Sequence, residues 1–371
     1  MKERLYYIDR LRTVLTILVI MHHTSITYGG EGSWYYVEAV GGDLTPTKAM
    51  LSMFTGVNQA FFMGFFFLIS GFFTPGAFNR KGSARFLVDR FIRLGIPLIV
   101  YMMLIGPGLN YALNFAGTTP LWSFYKESVL TFKVMDIGPL WFAEALLYFA
   151  IIYACYRWFT SKSKAQTELY PFPSHKTILL YAVIVGIVAF AIRLVFPTGA
   201  DVLGLQLGYF ASYILLFVVG VIAYRNKWLE QLSAQTAKRW LWVSLAFLPI
   251  LPVAAITAES TGAGALNGGA NPIAFVYAMW EPFIAFGIIM GLLVWFRERF
   301  NRANRLFQWL SDNAFTVYII HPPIVVGISL LMKDVTWPAG LKFLIVALLA
   351  TICCFAVSAL IRFIPGAKRV I

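Results

Sequence analysis

Near the start of the chain, Tyr7-Ile8-Asp9-Arg10-Leu11-Arg12 runs on to His22-His23. Arg12 and His23 stand eleven residues apart. At about 100° per residue that is about three full turns, so on a helix the two share a face roughly 16 Å apart. Asp9 precedes Arg12 by three residues, close enough to pair with it. A guanidinium binds anions, and a neutral imidazole near its ordinary pKa takes a proton from a hydroxyl. One helix face would therefore carry an anion-binding end and a base at His23. His22 points about 100° away and is read as a packing residue.

More such groups follow inside or at the ends of apolar runs: Arg90 and Arg93, Trp141 and Glu144, Arg193, Trp280 and Glu281, and His321. Charge in a bilayer is costly, which makes each a functional candidate. Arg90 and Arg93, three apart, would face one way and chelate phosphate oxygens; the plainer alternative is a topological anchor. Arg193 and Glu281 either line a cavity or form a structural ion pair with each other. Asp312 and Asn313 are read as helix caps. His175, in a basic loop, receives no role.

These groups need a scaffold, and composition says of what kind. The 371 residues are 59% hydrophobic, 13% charged and 17% aromatic, with a mean hydropathy of +0.73. A soluble domain is nearer half apolar and a quarter charged. Stretches near 10–29, 49–78, 87–113, 138–158, 177–197, 204–224, 239–257, 273–297, 307–331 and 340–363 are long enough to cross a bilayer, which needs roughly 20 apolar residues. They lack period-two alternation, so helices are expected rather than a barrel. The second and third are long and are expected to be tilted or broken. The expectation is an all-α polytopic bundle of about ten transmembrane helices, forming one domain over 1–371.

The net charge of +13 does not signal a nucleic-acid partner, because the basic residues sit in short runs between apolar stretches. One set holds Lys2, Arg4, Arg10, Arg12, Arg80, Lys81, Arg85, Arg90, Arg93, Arg157, Lys162, Lys164, Lys176, Arg225, Lys227, Lys238, Arg239, Arg297, Arg299, Arg302, Arg305, Arg362, Lys368 and Arg369. The alternate side holds only Lys48, Lys126, Lys133, Lys333 and Lys342. This bias puts both termini in the cytoplasm. No small-residue cleavage site follows the first run, so an uncleaved first helix is expected. Cys155, Cys353 and Cys354 fall in apolar stretches without CxxC spacing, and the four histidines do not cluster with other ligands, so no metal site is expected.

The motifs together resemble the acyltransferase-3 family of membrane acyltransferases. Tyr7-Ile-Asp-Arg-Leu-Arg … His23 is similar to its opening motif, and Phe65-Phe-Phe-Leu-Ile-Ser-Gly-Phe72 to its second-helix signature. Arg90-Phe-Ile-Arg93 with Ile96-Pro97 resembles its RxxR motif, Leu140-Trp-Phe-Ala-Glu144 its Trp-to-Glu motif, and Ala314-Phe-Thr-Val-Tyr-Ile-Ile-His321-Pro its late helix ending in His. They appear in family order from residue 7 to 322. Phe142 and Ala145 stand where many relatives have Ser and a second acid. The resemblance is to the stand-alone membrane domain, without the SGNH domain that some members carry, and most to the glucan-modifying members.

The resemblance implies a multi-pass enzyme of a bacterial plasma membrane. It would move an acyl group, acetyl or succinyl, from cytoplasmic acyl-CoA to a hydroxyl of an extracytoplasmic glycan or related acceptor. His23, Glu144 and His321 would be catalytic. His23 would act as base and Glu144 would orient it. His321 or Arg193 would stabilise the oxyanion or position the acceptor. Arg12, Arg90 and Arg93 would bind the nucleotide end of the donor, and Arg193, Trp141 and Glu281 the acceptor. Acyl-CoA is a co-substrate, and no permanently bound cofactor is expected. The competing reading is a proton-coupled secondary transporter, which intramembrane His, Glu and Arg also suit. No repeat-related pair of broken helices supports it.

Overall fold

The computed structural model describes residues 4–39, 41, 44–133, 136–160, 169–262 and 264–371. Lys2, Lys162 and Lys164 of the basic set lie outside them. The described chain is helical, with an isolated bridge between Val202 and Leu205 in place of any strand. Ten helices reach the length of a span: α1 Tyr6–Thr27, then α2 Pro46–Lys81, α3 Ser83–Asn114, α4 Gly138–Phe159, α5 His175–Arg193, α6 Leu207–Asn226, α7 Ala234–Ala258, α8 Pro272–Arg299, α9 Arg305–Leu331 and α10 Ala339–Ile361. Among the described residues nine of these, all but α1, are also apolar enough to cross a membrane. In α1, Asp9, Arg10, Arg12, His22 and His23 dilute an otherwise apolar run. The chain is an all-α, multi-pass membrane protein.

Local chemistry sets the helix ends. Ser174 caps α5 by accepting from the Thr177 amide, Ser233 caps α7 through Thr236, and Asn271 caps α8 through Ala274 with Pro272 at the first helical position. At the start of α9 the cap is Asn304, whose side chain accepts from the Phe307 amide at 3.1 Å. This corrects the expectation for Asp312 and Asn313. Both sit inside a helix that begins at Arg305, where amides are already paired. Asn313 instead accepts from the Ser358 hydroxyl of α10 at 2.8 Å.

Helix α3 is interrupted, as its length suggested. Phe91–Gly95 and Tyr101–Ile105 are π-turns. A proline has no amide hydrogen and its ring collides with the carbonyl four residues back. Pro97 and Pro107 follow the two π-turns by two residues each, and the wider turns relieve that collision. Pro107 would leave the Met103 carbonyl without its helical donor; the Tyr125 hydroxyl donates to it at 2.7 Å. Lipid offers no replacement donor, so the protein supplies one.

The chain forms two compact units of interleaved segments. The first comprises Met1–Leu15, Met53–Gly82 and Arg157–Gln308, the second Thr16–Ser52, Ser83–Tyr156 and Trp309–Ile371. In the first unit α8 packs against α5 and α7. The Trp280 indole donates to the Phe247 carbonyl at 2.8 Å and the Ser244 hydroxyl to the Phe283 carbonyl at 2.7 Å. A Cβ at Gly71 of α2 would strike the Phe217 carbonyl of α6, and one at Gly220 the Leu68 carbonyl. The two backbones touch because neither glycine has a side chain, the usual device for close helix contact in membranes. In the second unit Ile20, Val317, Val325, Ala350 and Cys354 form one core cluster, and Tyr28, Leu51, Phe343 and Val346 another. On α10, Leu344, Leu348 and Ile352 are exposed at four-residue spacing, as a lipid-facing stripe requires.

Replacing Gly71 or Gly220 with Leu should cost about 3 kcal/mol, the upper end for overpacking, because the obstruction is backbone that has no rotamer to yield. Gly327 of α9 has open space around it, so Gly327→Ala should leave the detergent melting temperature unchanged or raised. Thermal unfolding of purified protein checks both.

Candidate functional site

In the second unit, His23 near the end of α1 meets His321 of α9. Nε2 of His321 lies 3.0 Å from Nδ1 of His23. Nδ1 of His321 lies 2.7 Å from the Tyr318 carbonyl. A carbonyl only accepts, so Nδ1 of His321 carries a hydrogen, and in the neutral ring its Nε2 is the acceptor. His23 therefore donates from Nδ1, which leaves a lone pair on its Nε2. The chain of bonds selects one tautomer of each ring.

The Tyr318 carbonyl is available for this because of the local sequence. Four residues on stands Pro322, which has no amide to donate. The His321 imidazole takes the role of the missing N–H. Tyr318 is itself anchored, since its hydroxyl donates to the Pro139 carbonyl at the start of α4. His321 is fully buried, whereas His23 is only half-buried. The outer ring of the relay is the one that an incoming molecule can touch.

The loop after α1 returns over this pair. The Glu38 amide donates to the Thr27 carbonyl at 2.9 Å, and the Glu38 carboxylate receives Lys342 Nζ of α10 at 2.6 Å. Lys342 is buried, at 3% side-chain exposure, so it is held by its partner rather than standing at a membrane surface. Tyr35 and Tyr101 share a hydrogen bond of 3.0 Å. Gly138, at φ +43°, lets both hydroxyls approach where a Cβ would stand 2.5 Å from one and 2.7 Å from the other. Burial, then the nearby Tyr101 and Asp136, push the Tyr35 phenol well above its ordinary pKa, so it stays protonated. Between these anchors Trp34 stacks on His23, with ring centroids 3.9 Å apart and planes 17° apart, and lies 5.8 Å from the His321 ring at 9°. The result is a parallel stack of indole and two imidazoles. Chemically, it presents a base with a fixed tautomer against an electron-rich aromatic face.

Other predicted residues lie as follows. Glu144 accepts from the Tyr148 hydroxyl at 2.8 Å, one turn along its own helix; the group on His23 Nδ1 is His321. Trp141 begins the α-helical part of α4 and meets Phe142 edge-on at 6.3 Å. Arg90 lies over the Phe86 ring at 5.2 Å and Arg93 pairs with Asp89 at 3.5 Å. Arg93 stands within the π-turn that begins at Phe91, which winds fewer degrees per residue than an α-turn.

In the first unit, Arg12 lies 3.9 Å from Asp9, as the spacing suggested, and Arg4 shares the same carboxylate at 2.8 Å. Arg193 and Glu281 form an ion pair of 2.5 Å with side chains 0% and 5% exposed. The guanidinium lies 5.2 Å from the Tyr209 ring and 5.2 Å from the Tyr277 ring, and its Nε donates to the Gly208 carbonyl. Of the two outcomes the sequence left open, the pair forms. His175, which received no role, accepts from the Trp240 indole at 3.1 Å. Among the described residues no group of three His, Cys, Asp or Glu is placed to hold a metal ion.

Trp34, Tyr318 and the Glu38–Lys342 pair did not emerge from the sequence. Tyr318 carried a usable signal in the proline four residues after it. Trp34 sits in an irregular loop without period, and nothing in its neighbours indicated where its ring would go.

A family model described as "Acyltransferase domain" matches residues 5–362. Curated relatives include the glucans biosynthesis protein C of Salmonella heidelberg (strain SL476), 24% identical over 336 residues, covering 86% of this chain and 82% of that protein. Its counterpart in Salmonella enteritidis PT4 (strain P125109) is 24% identical over 339 residues, with the same coverage. No solved structure gives a significant match. The family match covers nearly the whole described fold, including both histidines of the stacked site, and the chain belongs to the acyltransferase-3 family and is a membrane acyltransferase.

Proposed function

We propose that this enzyme transfers an acyl group, acetyl or succinyl, from acyl-CoA to a hydroxyl of an extracytoplasmic glycan, with His23 as general base. The observation that carries the reading is the relay from the Tyr318 carbonyl through His321 to His23, in a chain of an acyltransferase family. A hydroxyl is a weak nucleophile at neutral pH. His23 Nε2 removes its proton as the oxygen attacks the thioester carbonyl, and the imidazolium returns the proton to the departing thiolate. His321 holds the productive tautomer and shares the charge. The curated relatives are named for glucan biosynthesis, which is the support for a carbohydrate acceptor; their bacterial source supports a bacterial plasma membrane.

The nucleotide end of the donor is assigned to Arg90 and Arg93, with Arg12 contributing. Arg93 is exposed and its ion pair with Asp89 is partly solvated, so the cation exchanges that partner for phosphate at small cost. Arg193, Glu281 and Trp141 are assigned to the acceptor side, with Glu144 as a further catalytic group. Both termini are assigned to the cytoplasm on the Lys and Arg bias, with an even number of crossings if all ten span-length helices cross. The whole of 1–371 then works as one catalytic domain.

Purified protein in nanodiscs should transfer label from acetyl-CoA or succinyl-CoA to an envelope-glycan fraction. His23→Asn should lower kcat by about 10³-fold with folding intact, within the range that a positioned base contributes. A folded His23→Asn protein with full activity would remove the base assignment, and a wild type that consumes no acyl-CoA would move the proton-coupled transporter to first place. Arg90→Ala with Arg93→Ala should raise the donor KM about 100-fold with little change in kcat, as loss of two charge-assisted contacts of about 1.5 kcal/mol each does. Pro322→Ala restores an amide that competes for the Tyr318 carbonyl. It should lower kcat about tenfold at unchanged KM, the lower end of losses when an imidazole's orienting partner is disturbed.

A further inference from the structure

The indole nitrogen of Trp34 is sealed from solvent and has no hydrogen-bond partner in the protein. A buried unpaired donor costs about 1–3 kcal/mol, and three other indoles of the chain avoid that cost. Trp240 donates to His175, Trp280 to the Phe247 carbonyl and Trp228 to the Tyr170 carbonyl. The unpaired indole is the one stacked 3.9 Å from His23. Unsatisfied polar groups persist where a ligand or a transition state completes them.

We propose that the Trp34 N–H is the oxyanion donor of the acyl transfer. It is a further catalytic residue, which receives the thioester oxygen as the carbonyl carbon becomes tetrahedral. The inference rests on His23 being the base. The hydroxyl oxygen of the acceptor bonds to the carbonyl carbon as its proton passes to His23 Nε2. The C=O pair moves onto oxygen and is held by the indole N–H. The pair then returns, the C–S bond breaks, and the thiolate takes the proton from His23. Atoms and charge balance with donor and acceptor alone.

Two features suit the indole to this task. First, it is held before substrate arrives. The Glu38–Lys342 ion pair, the Glu38 amide on the Thr27 carbonyl and the Tyr35–Tyr101 bond fix the loop on both sides of Trp34 or beside it. A donor already in position adds no reorganisation at the moment of reaction. Second, its ring lies nearly parallel to the imidazole that becomes positive, so its face stabilises the imidazolium while its edge stabilises the oxyanion.

The test compares wild type, Trp34→Phe and His23→Asn in nanodiscs with acetyl-CoA and succinyl-CoA. Phenylalanine keeps an aromatic ring over His23 and removes the N–H. Trp34→Phe should lower kcat by about 10²–10³-fold, the loss typical of one oxyanion donor, with donor KM changed less than about threefold. A trifluoromethyl ketone analogue of the acyl donor, which adds the acceptor oxygen and develops an oxyanion, should lose a comparable factor in affinity; a thioether analogue without a carbonyl should not. Should Trp34→Phe not fold, 3-benzothienylalanine at position 34 replaces only the N–H by sulfur and takes the same measurements. If either folded variant keeps kcat and ketone affinity while His23→Asn is inactive, the inference is overturned and the base assignment stands. If His23→Asn is also fully active, or the wild type consumes no acyl-CoA, the underlying reading falls and takes the inference with it.

Discussion

A helix inside lipid must satisfy every backbone carbonyl from within the protein, because hydrocarbon donates nothing. Prolines break that rule locally by removing an amide and leaving the carbonyl four residues earlier without a donor. In this chain the breach at Pro107 is closed by a hydroxyl, Tyr125 on Met103. The breach at Pro322 is closed by an imidazole, His321 on Tyr318. The second repair has chemical consequences. It commits the Nδ1 hydrogen of His321, turns its Nε2 toward His23 as an acceptor, and so fixes which nitrogen of His23 keeps a lone pair. The tautomer of both rings follows from one missing amide.

The two buried polar centres are built on different terms. The histidine stack is neutral, directional and partly open at His23. The Arg193–Glu281 pair carries full charges with almost no exposure. Taking such charges out of water costs several kcal/mol per ion, which a short bond and surrounding groups must offset. Here the offset comes from the Gly208 carbonyl and from two tyrosine rings about the guanidinium. The Glu38–Lys342 pair is a third arrangement, in which a buried lysine ties a loop to α10. Its effect is to restrict where the loop, and with it Trp34, can lie.

Close packing without a hydrophobic driving force between helices explains much of the rest. Gly71 and Gly220 let α2 and α6 touch backbone to backbone. In α3 the chain accepts two π-turns instead of straightening around its prolines. Arg93 stands within the first of these wider turns.

The sequence by itself determined the class of the protein and the bounds of its helices. A bilayer demands about 20 apolar residues per crossing, and that single length rule placed all ten helices to within a few residues. It also singled out His23 and His321, since a titratable group in hydrocarbon stands out whatever its neighbours. Asp9 beside Arg12 was legible because both belong to one helix. Arg193 with Glu281 was legible as an alternative because opposite buried charges seek each other. What tertiary structure decided was partnership across distance. His23 and His321 are nearly the whole chain apart, and their contact depends on how α1 packs against α9. Glu144 was a candidate to orient His23; its carboxylate accepts from Tyr148 on its own helix, and the group on His23 Nδ1 is His321 of another helix. Lys342 was legible only as one of the few basic residues of the alternate side; folding placed Glu38 beside it. Trp34 had no periodicity to reveal its face, because loop positions are set by contacts and not by backbone repeat. Spacing along one helix is written in the chain; the meeting of two helices and a loop is written only in their packing.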